Sequence, residues 1–199
     1  ERALTLAMAE MYVQGVSTRK VAAITEQLCG TGVSSMQVSR AAQRLDEVLA
    51  AWRNRPIGEI VYLYLDARYE KVRRGGQIQD AAILMAAGIG KDGKRRVLGV
   101  SVALSEAEQH WRLFFESLVE RGLQGVQLII SDDHHGLRKA RQAVFTGTPW
   151  QRCQFHLQQN ASQYVPRKYM QAEVAADIRA VFNAPDRSQA EQYLNHLVK

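Results

Sequence analysis

The chain is short of several things, and each shortage narrows what it can be. It has two cysteines in 199 residues, Cys29 and Cys153. They lie far apart, so a secreted scaffold held by disulfides does not fit, and a reducing cytoplasm does. No apolar run approaches the length that spans a membrane, and no signal peptide is visible. Acidic residues are outnumbered, 20 against 26 Lys and Arg, which leaves a net charge of +6. That balance points to an anionic partner, and nucleic acid is the commonest one. An initiator Met is missing from position 1, and Lys199 lies inside a helical pattern without a closing Gly or Pro. The chain therefore reads as part of a longer protein. With 46% hydrophobic and 23% charged residues, it has material for one ordinary core plus a small appendage.

The first 56 residues read as helices. Leu4, Ala7, Met8, Met11 and Tyr12 recur at helical spacing, and Gly15 ends the helix. Ser17 or Thr18 caps the next, which carries Val21, Ala22, Ile24 and Leu28. Gly30-Thr31-Gly32 is a turn, and Ser34 or Ser35 opens a third helix with Met36, Val38, Ala41, Leu45, Val48 and Leu49 inward. Helix, short turn and helix is the spacing of a helix-turn-helix unit. In such a unit the early outward residues of the second helix touch DNA, here Ser35, Gln37, Ser39 and Arg40. An ordinary three-helix bundle has the same pattern.

After the polar linker Arg53-Asn54-Arg55-Pro56 the pattern changes. Residues 57–157 read as an α/β core. Glu59 to Leu65 is a β-rich run ending at Asp66, and Ala81 to Ile89 is a second. Lys91-Asp92-Gly93-Lys94 is a hairpin turn, and Arg96 to Leu104 is a third strand. Ser105 and Glu108 have capping-box spacing ahead of a helix with Trp111, Phe114, Phe115, Leu118 and Val119 inward. Val126 to Ser131 is a fourth strand ending at Asp132. Gly136 to Phe145 is a helix, and Trp150 to Phe155 is a fifth strand. Residues 158–199 read as the start of a helical insertion, broken around Asn183-Ala184-Pro185. An antiparallel meander followed by parallel strands and crossover helices is the order of an RNase H-like fold.

Asp66 and Asp132 each stand at the end of an apolar run. A carboxylate there is costly to desolvate without a cation or a hydrogen bond. Two of them converging repel each other until a divalent metal bridges them. The alternative is a pair of turn or capping aspartates. Cys153-x-x-His156 and His134-His135 contain zinc-ligand types but lack a second close-spaced pair; a buried Cys and a hydrogen-bonded His are the plainer reading. Gly88-x-Gly90-x-x-Gly93 matches a dinucleotide fingerprint, but a strand follows it where that fingerprint needs a helix. Arg68, Lys71, Arg73 and Arg74, with Lys91, Lys94, Arg95 and Arg96, flank the strand ends as a phosphate track or as solvated charge.

Three ordered segments carry a resemblance. Tyr64 to Arg73 resembles the first catalytic motif of the bacterial Mutator-type insertion-sequence transposases. Ile130-Ser131-Asp132-Asp133-His134-His135-Gly136-Leu137 resembles the second, with Asp133 standing where the family has Ala. Trp150 to His156, followed by Gln159-Asn160, resembles the family's Cys-x-x-His segment. The resemblance implies an RNase H-like core with an Asp-Asp-Glu triad, in which Asp66 and Asp132 are the first two members. It implies Mg²⁺ (or Mn²⁺), as two ions in the complete enzyme, with cleavage at element ends and transfer of the freed 3′-hydroxyl to target DNA. Asp133, His134, Gly136, Cys153 and His156 belong to the motifs without a settled role. The expected partners are terminal inverted repeats, target DNA and further copies of the chain, in a bacterial cytoplasm near the nucleoid. The third Glu is expected beyond the chain, since Glu173 and Glu191 lack the family's surrounding motif. The chain alone is then catalytically incomplete. A DNA-binding regulator and a different RNase H-like nuclease are the competing functions.

Overall fold

The computed structural model describes residues 2–30 and 32–197. Thr31 of the expected turn and the terminal residues Glu1 and Lys199 lie outside them. The chain forms two compact units, residues 1–55 and 56–199.

In the first unit, α1 (Arg2–Val13), α2 (Thr18–Cys29) and α3 (Ser35–Asn54) pack around Met8, Val21, Val38 and Ala41. Ser17 caps α2, its hydroxyl accepting from the Lys20 N–H. Ser34 caps α3 in a reciprocal box, with Gln37 reaching back to the Ser34 N–H at 2.8 Å. Leu28, Met36, Val48 and Tyr12, expected inward, are exposed. The small core explains this: α1 and α2 are 12 residues each. Along the 20 residues of α3, only Val38, Ala41 and Ala42 are buried.

The second unit opens with a meander of β1 (Tyr62–Arg74), β2 (Gln77–Ile89) and β3 (Arg95–Ala103). Then come α4 (Glu108–Glu120), β4 (Leu128–Ser131), α5 (His135–Val144) and β5 (Trp150–Arg152). The remainder is helical: α6 (Gln154–Gln163), a short 3₁₀ turn, α7 (Gln171–Phe182) and α8 (Arg187–Leu197). Among the described residues the sheet runs β3-β2-β1-β4-β5. β1 is antiparallel to β2 and parallel to β4, which is parallel to β5. This is the RNase H-like arrangement. Successive side chains of a strand point to opposite faces. Leu63, Leu65, Leu84, Leu98 and Ile129 therefore meet Trp111, Phe115 and Leu118 of α4 and Leu137 of α5 in one core.

Four local expectations change. β1 does not end at Asp66 but runs on to Arg74. Gly75 and Gly76, at φ 58° and 81°, turn the chain back so that Arg68–Arg74 pairs with Gln77–Ile83. A charged run expected to flank the strand ends is thus half of a hairpin. The Ser105–Glu108 capping box does not form: α4 starts at Glu108 behind Ala107, which has no side-chain cap. The Ser105 carbonyl instead lies 2.8 Å from Nδ1 of His110. β5 stops at Arg152 because Cys153 is already the N-cap of α6. Val119, expected inward on α4, is exposed.

Candidate active site

The parallel strand register aligns the two aspartates. Tyr62 pairs with Leu128, Leu63 with Ile129 and Tyr64 with Ile130. Two residues further along each chain stand Asp66 and Asp132. Ser131 pairs with Arg152 across β4 and β5, so the next row is Asp132 and Cys153. Parallel strands are spaced about 4.8 Å apart; Asp66 lies within β1, and Asp132 and Cys153 are the first residues past the ends of β4 and β5. α6 starts from that row. Its first turn brings Nε2 of His156 to 3.7 Å from Oδ1 of Asp66.

Each aspartate is held differently. Asp66 is half-exposed, and its Oδ1 accepts the Ala67 N–H at 2.9 Å. Asp132 follows Ser131, which is buried and acts as a clamp. The Trp150 indole donates to the Ser131 hydroxyl at 2.9 Å, and that hydroxyl donates to the Asp132 carbonyl at 2.7 Å. The Cys153 N–H donates to the Ser131 carbonyl at 2.6 Å. Among the described residues the Asp132 carboxylate itself accepts only a backbone N–H, from His134 at 3.3 Å. Its neighbour Asp133 is instead ion-paired with Arg138 on α5 at 3.3 Å. Adjacent aspartates in the chain thus differ in availability: one charge is compensated, the other is not.

A third carboxylate faces this centre, and the sequence reading missed it. Glu106 lies in the loop between β3 and α4. Its side chain is 12% exposed, and Oε2 is 3.7 Å from Nδ1 of His134. Burial pushes its carboxyl above the usual range; the His134 charge opposes this, and the Asp132 and Asp66 charges add to it. The loop is pinned from two sides. The Glu106 N–H donates to the Tyr69 hydroxyl of β1 at 3.3 Å. On the other side lies Gly136 of α5, where a Cβ would collide with the Glu106 carbonyl oxygen and press on the Glu108 N at 3.0 Å. Gly136 is there because the loop backbone occupies the place of its side chain. Reading Ser105 and Glu108 as a capping box hid Glu106. The available signal was the one that marked Asp66 and Asp132, an acid just beyond an apolar strand.

Asp66 and Asp132 present hard oxygen donors, and neither has a Lys or Arg ion partner among the described residues. That donor chemistry fits a cation of the Mg²⁺ type, which takes one or two carboxylates and keeps waters and phosphate oxygens for the rest of its shell. Among the described residues no three His, Cys, Asp or Glu side chains converge tightly enough to hold a metal by themselves. Among the described residues Cys153 and His156 are not part of any such group. His156 is turned to Asp66, with its buried Nδ1 lacking a hydrogen-bond partner.

Arg73 and Arg74 stand exposed at the tip of the β1–β2 hairpin. In the first unit Ser35, Gln37, Ser39 and Arg40 are all exposed at the start of α3. The Gln37 side chain serves the helix cap, and the Ser39 hydroxyl donates to the Ser35 carbonyl. Arg40 and Arg44 line an open groove of about 650 Å³ with Leu4 and Met8 of α1.

Comparison with known proteins then places the chain. The family model described as "Transposase, Mutator family" matches residues 1–199. The transposase for insertion sequence element IS406 of Burkholderia multivorans is 61% identical over 196 residues, covering 98% of this chain and 50% of that protein. The transposase for IS256 in transposon Tn4001 of Staphylococcus aureus is 42% identical over 200 residues, covering 100% of this chain and 51% of that protein. The chain thus spans about half the length of the curated relatives it matches. Among solved structures, the HTLV-2 integrase catalytic core domain in complex with magnesium aligns with a TM-score of 0.34 at 10% identity. The alignment covers 72% of this chain and 86% of that one, and the score is too low to bear on function. No helix among the described residues is long and apolar enough to cross a membrane.

Proposed function

Because the chain belongs to the Mutator family of transposases, we propose that its second unit carries two of the carboxylates that cut and rejoin DNA at the ends of an insertion sequence. The observation that supports this best is the register that sets Asp66 beside Asp132 at one end of the sheet. Asp66 and Asp132 are the residues that would hold Mg²⁺ or Mn²⁺. Asp132 takes this role rather than Asp133, because Arg138 already compensates Asp133. When bound, the metal supplies charge neutralisation for an in-line phosphoryl transfer. Ser131 and Trp150 fix the backbone of Asp132. His156 lies over Asp66, where it limits water and orients the carboxylate. The third carboxylate of the triad is a Glu that the motifs around Asp66 and Asp132 do not include.

DNA enters the same reading. The exposed start of α3, with Ser35, Ser39 and Arg40, contacts terminal inverted repeats. Arg73 and Arg74 on the hairpin tip meet phosphates of the element end or of the target. The working form is a homo-oligomer that pairs two ends.

The test uses the complete transposase that contains this chain. Asp66→Asn and Asp132→Asn are each expected to abolish cleavage of terminal-repeat DNA in Mg²⁺ and in Mn²⁺, while a gel-shift assay shows end binding retained. Cleavage by either variant removes the metal assignment. Wild-type protein that binds ends but never cuts would favour a regulator instead.

A further inference from the structure

We infer that Glu106 is a positioning residue of the same centre, a buried negative charge that raises the affinity of Asp66 and Asp132 for a divalent cation through the water shell of that cation. The inference rests on the metal reading proposed above. It is distinct from the triad's third carboxylate and does not replace it.

Three observations carry it. First, the loop is built to place Glu106. Tyr69 of the strand that bears Asp66 accepts its N–H, and Gly136, four residues after Asp132, makes room for its carbonyl. The same loop is thus tied to both metal-bearing segments through its backbone. Second, the side chain is largely buried, yet among the described residues its only ion-pairing neighbour is the His134 imidazole, 3.7 Å away. A buried carboxylate with so little compensation is costly, and a cation at Asp66 and Asp132 would supply what is missing. Third, beyond the upward push of burial, the Asp132 and Asp66 charges raise the Glu106 carboxyl further above its usual range. The three carboxylates do not converge tightly enough to share one ion directly. Action through ordered water fits that separation, since Mg²⁺ keeps several of its waters. Partners of this outer kind typically change metal affinity by about 10- to 100-fold.

The experiment measures Mn²⁺ binding to the full chain by the loss of the free-ion electron paramagnetic resonance signal. Wild type is compared with Glu106→Gln, Glu106→Ala, Glu106→Asp, Asp66→Asn and Asp132→Asn. Melting temperatures without metal are taken first. The loop's ties to Tyr69 and Gly136 use backbone atoms, so the Glu106 variants retain them, and two neutral variants guard against one that folds poorly. The expected result is a loss of roughly 10-fold in Mn²⁺ affinity for both neutral variants. Recovery of most of that affinity is expected for Glu106→Asp, with a larger loss for each aspartate variant. Recovery by the shorter acid marks a charge effect that a purely structural role would not produce. If the neutral variants bind Mn²⁺ like wild type while the aspartate variants do not, the inference is overturned and the metal site stands. If the aspartate variants also bind like wild type, the metal reading itself fails, and this inference with it.

Discussion

Along β1, Leu63 is fully buried between β2 and β4, whereas Arg73 and Arg74 of the same strand are exposed and pair only with β2. The two halves differ in what lies beside them. β4 flanks β1 at Tyr62–Tyr64, and β3 flanks β2 only from Ala82 onward. Beyond Glu70, which pairs with Ala81, the hairpin is a two-stranded ribbon with no third strand. Asp66 stands two residues past the last β1–β4 pair, where β3 still backs β2 through Met85 and Val100, and the ribbon follows four residues later. One continuous strand can therefore fix a carboxylate on a rigid base and extend a basic arm from it. The rigid half serves geometry, which tolerates little displacement; the free half serves charge, which tolerates much.

The largest effect expected from this contrast is in stability. Leu63→Ala should cost about 2–5 kcal/mol, the range for a fully buried leucine. Val72→Ala, on the ribbon, should cost less than about 1 kcal/mol. Urea unfolding of both variants checks this, and equal losses would mean that the ribbon is part of the core. An intermediate effect is expected in DNA binding. Arg73→Ala and Arg74→Ala should each lower the slope of log affinity against log salt by roughly one, with equal weakening on specific and random duplexes. An unchanged slope would remove the arm from the DNA interface.

The smallest effect separates the two hairpin turns. The β1–β2 turn bears arginines, while the β2–β3 turn bears an Asp92–Arg96 pair. The hydrogen bond from Arg96, helped by the Lys94 N–H, holds the Asp92 carboxyl below its usual value of 3.8. A depressed carboxylate stabilises the fold above its unfolded pKa, and that contribution is lost as pH falls through the folded one. Wild type should melt slightly above Asp92→Asn at pH 7, and the gap should close as pH drops below 3.8. A gap that persists in acid would assign the effect to turn geometry rather than charge.

Much of the fold was legible along the chain. The alternation around Leu63 and Leu65, the Asp92-Gly93 turn and the helical spacing of Trp111, Phe115 and Leu118 are local patterns of burial, and burial is what they record. The charged stretch Arg68 to Arg74 was not legible as a strand. Its pairing is supplied by β2 after the Gly75-Gly76 turn, and exposed ribbon strands carry no apolar alternation. Met36 and Val48 misled for the opposite reason: helical periodicity is present, but α1 and α2 are too short to cover it.

For the candidate site the division is similar. The residues themselves determined that Asp66 and Asp132 end apolar runs within ordered family motifs, and this follows from chain order alone. Only the tertiary structure decided that the register aligns them. It also decided that Arg138 compensates Asp133 while Asp132 stays available, that Gly136 exists to admit the Glu106 backbone, and that the Glu106 carboxylate lies beside His134. Apart from the Asp133–Arg138 pair, which is five residues apart, these are relations between segments far apart in the chain. They depend on strand register and on helix packing, and no local pattern of residue types records either.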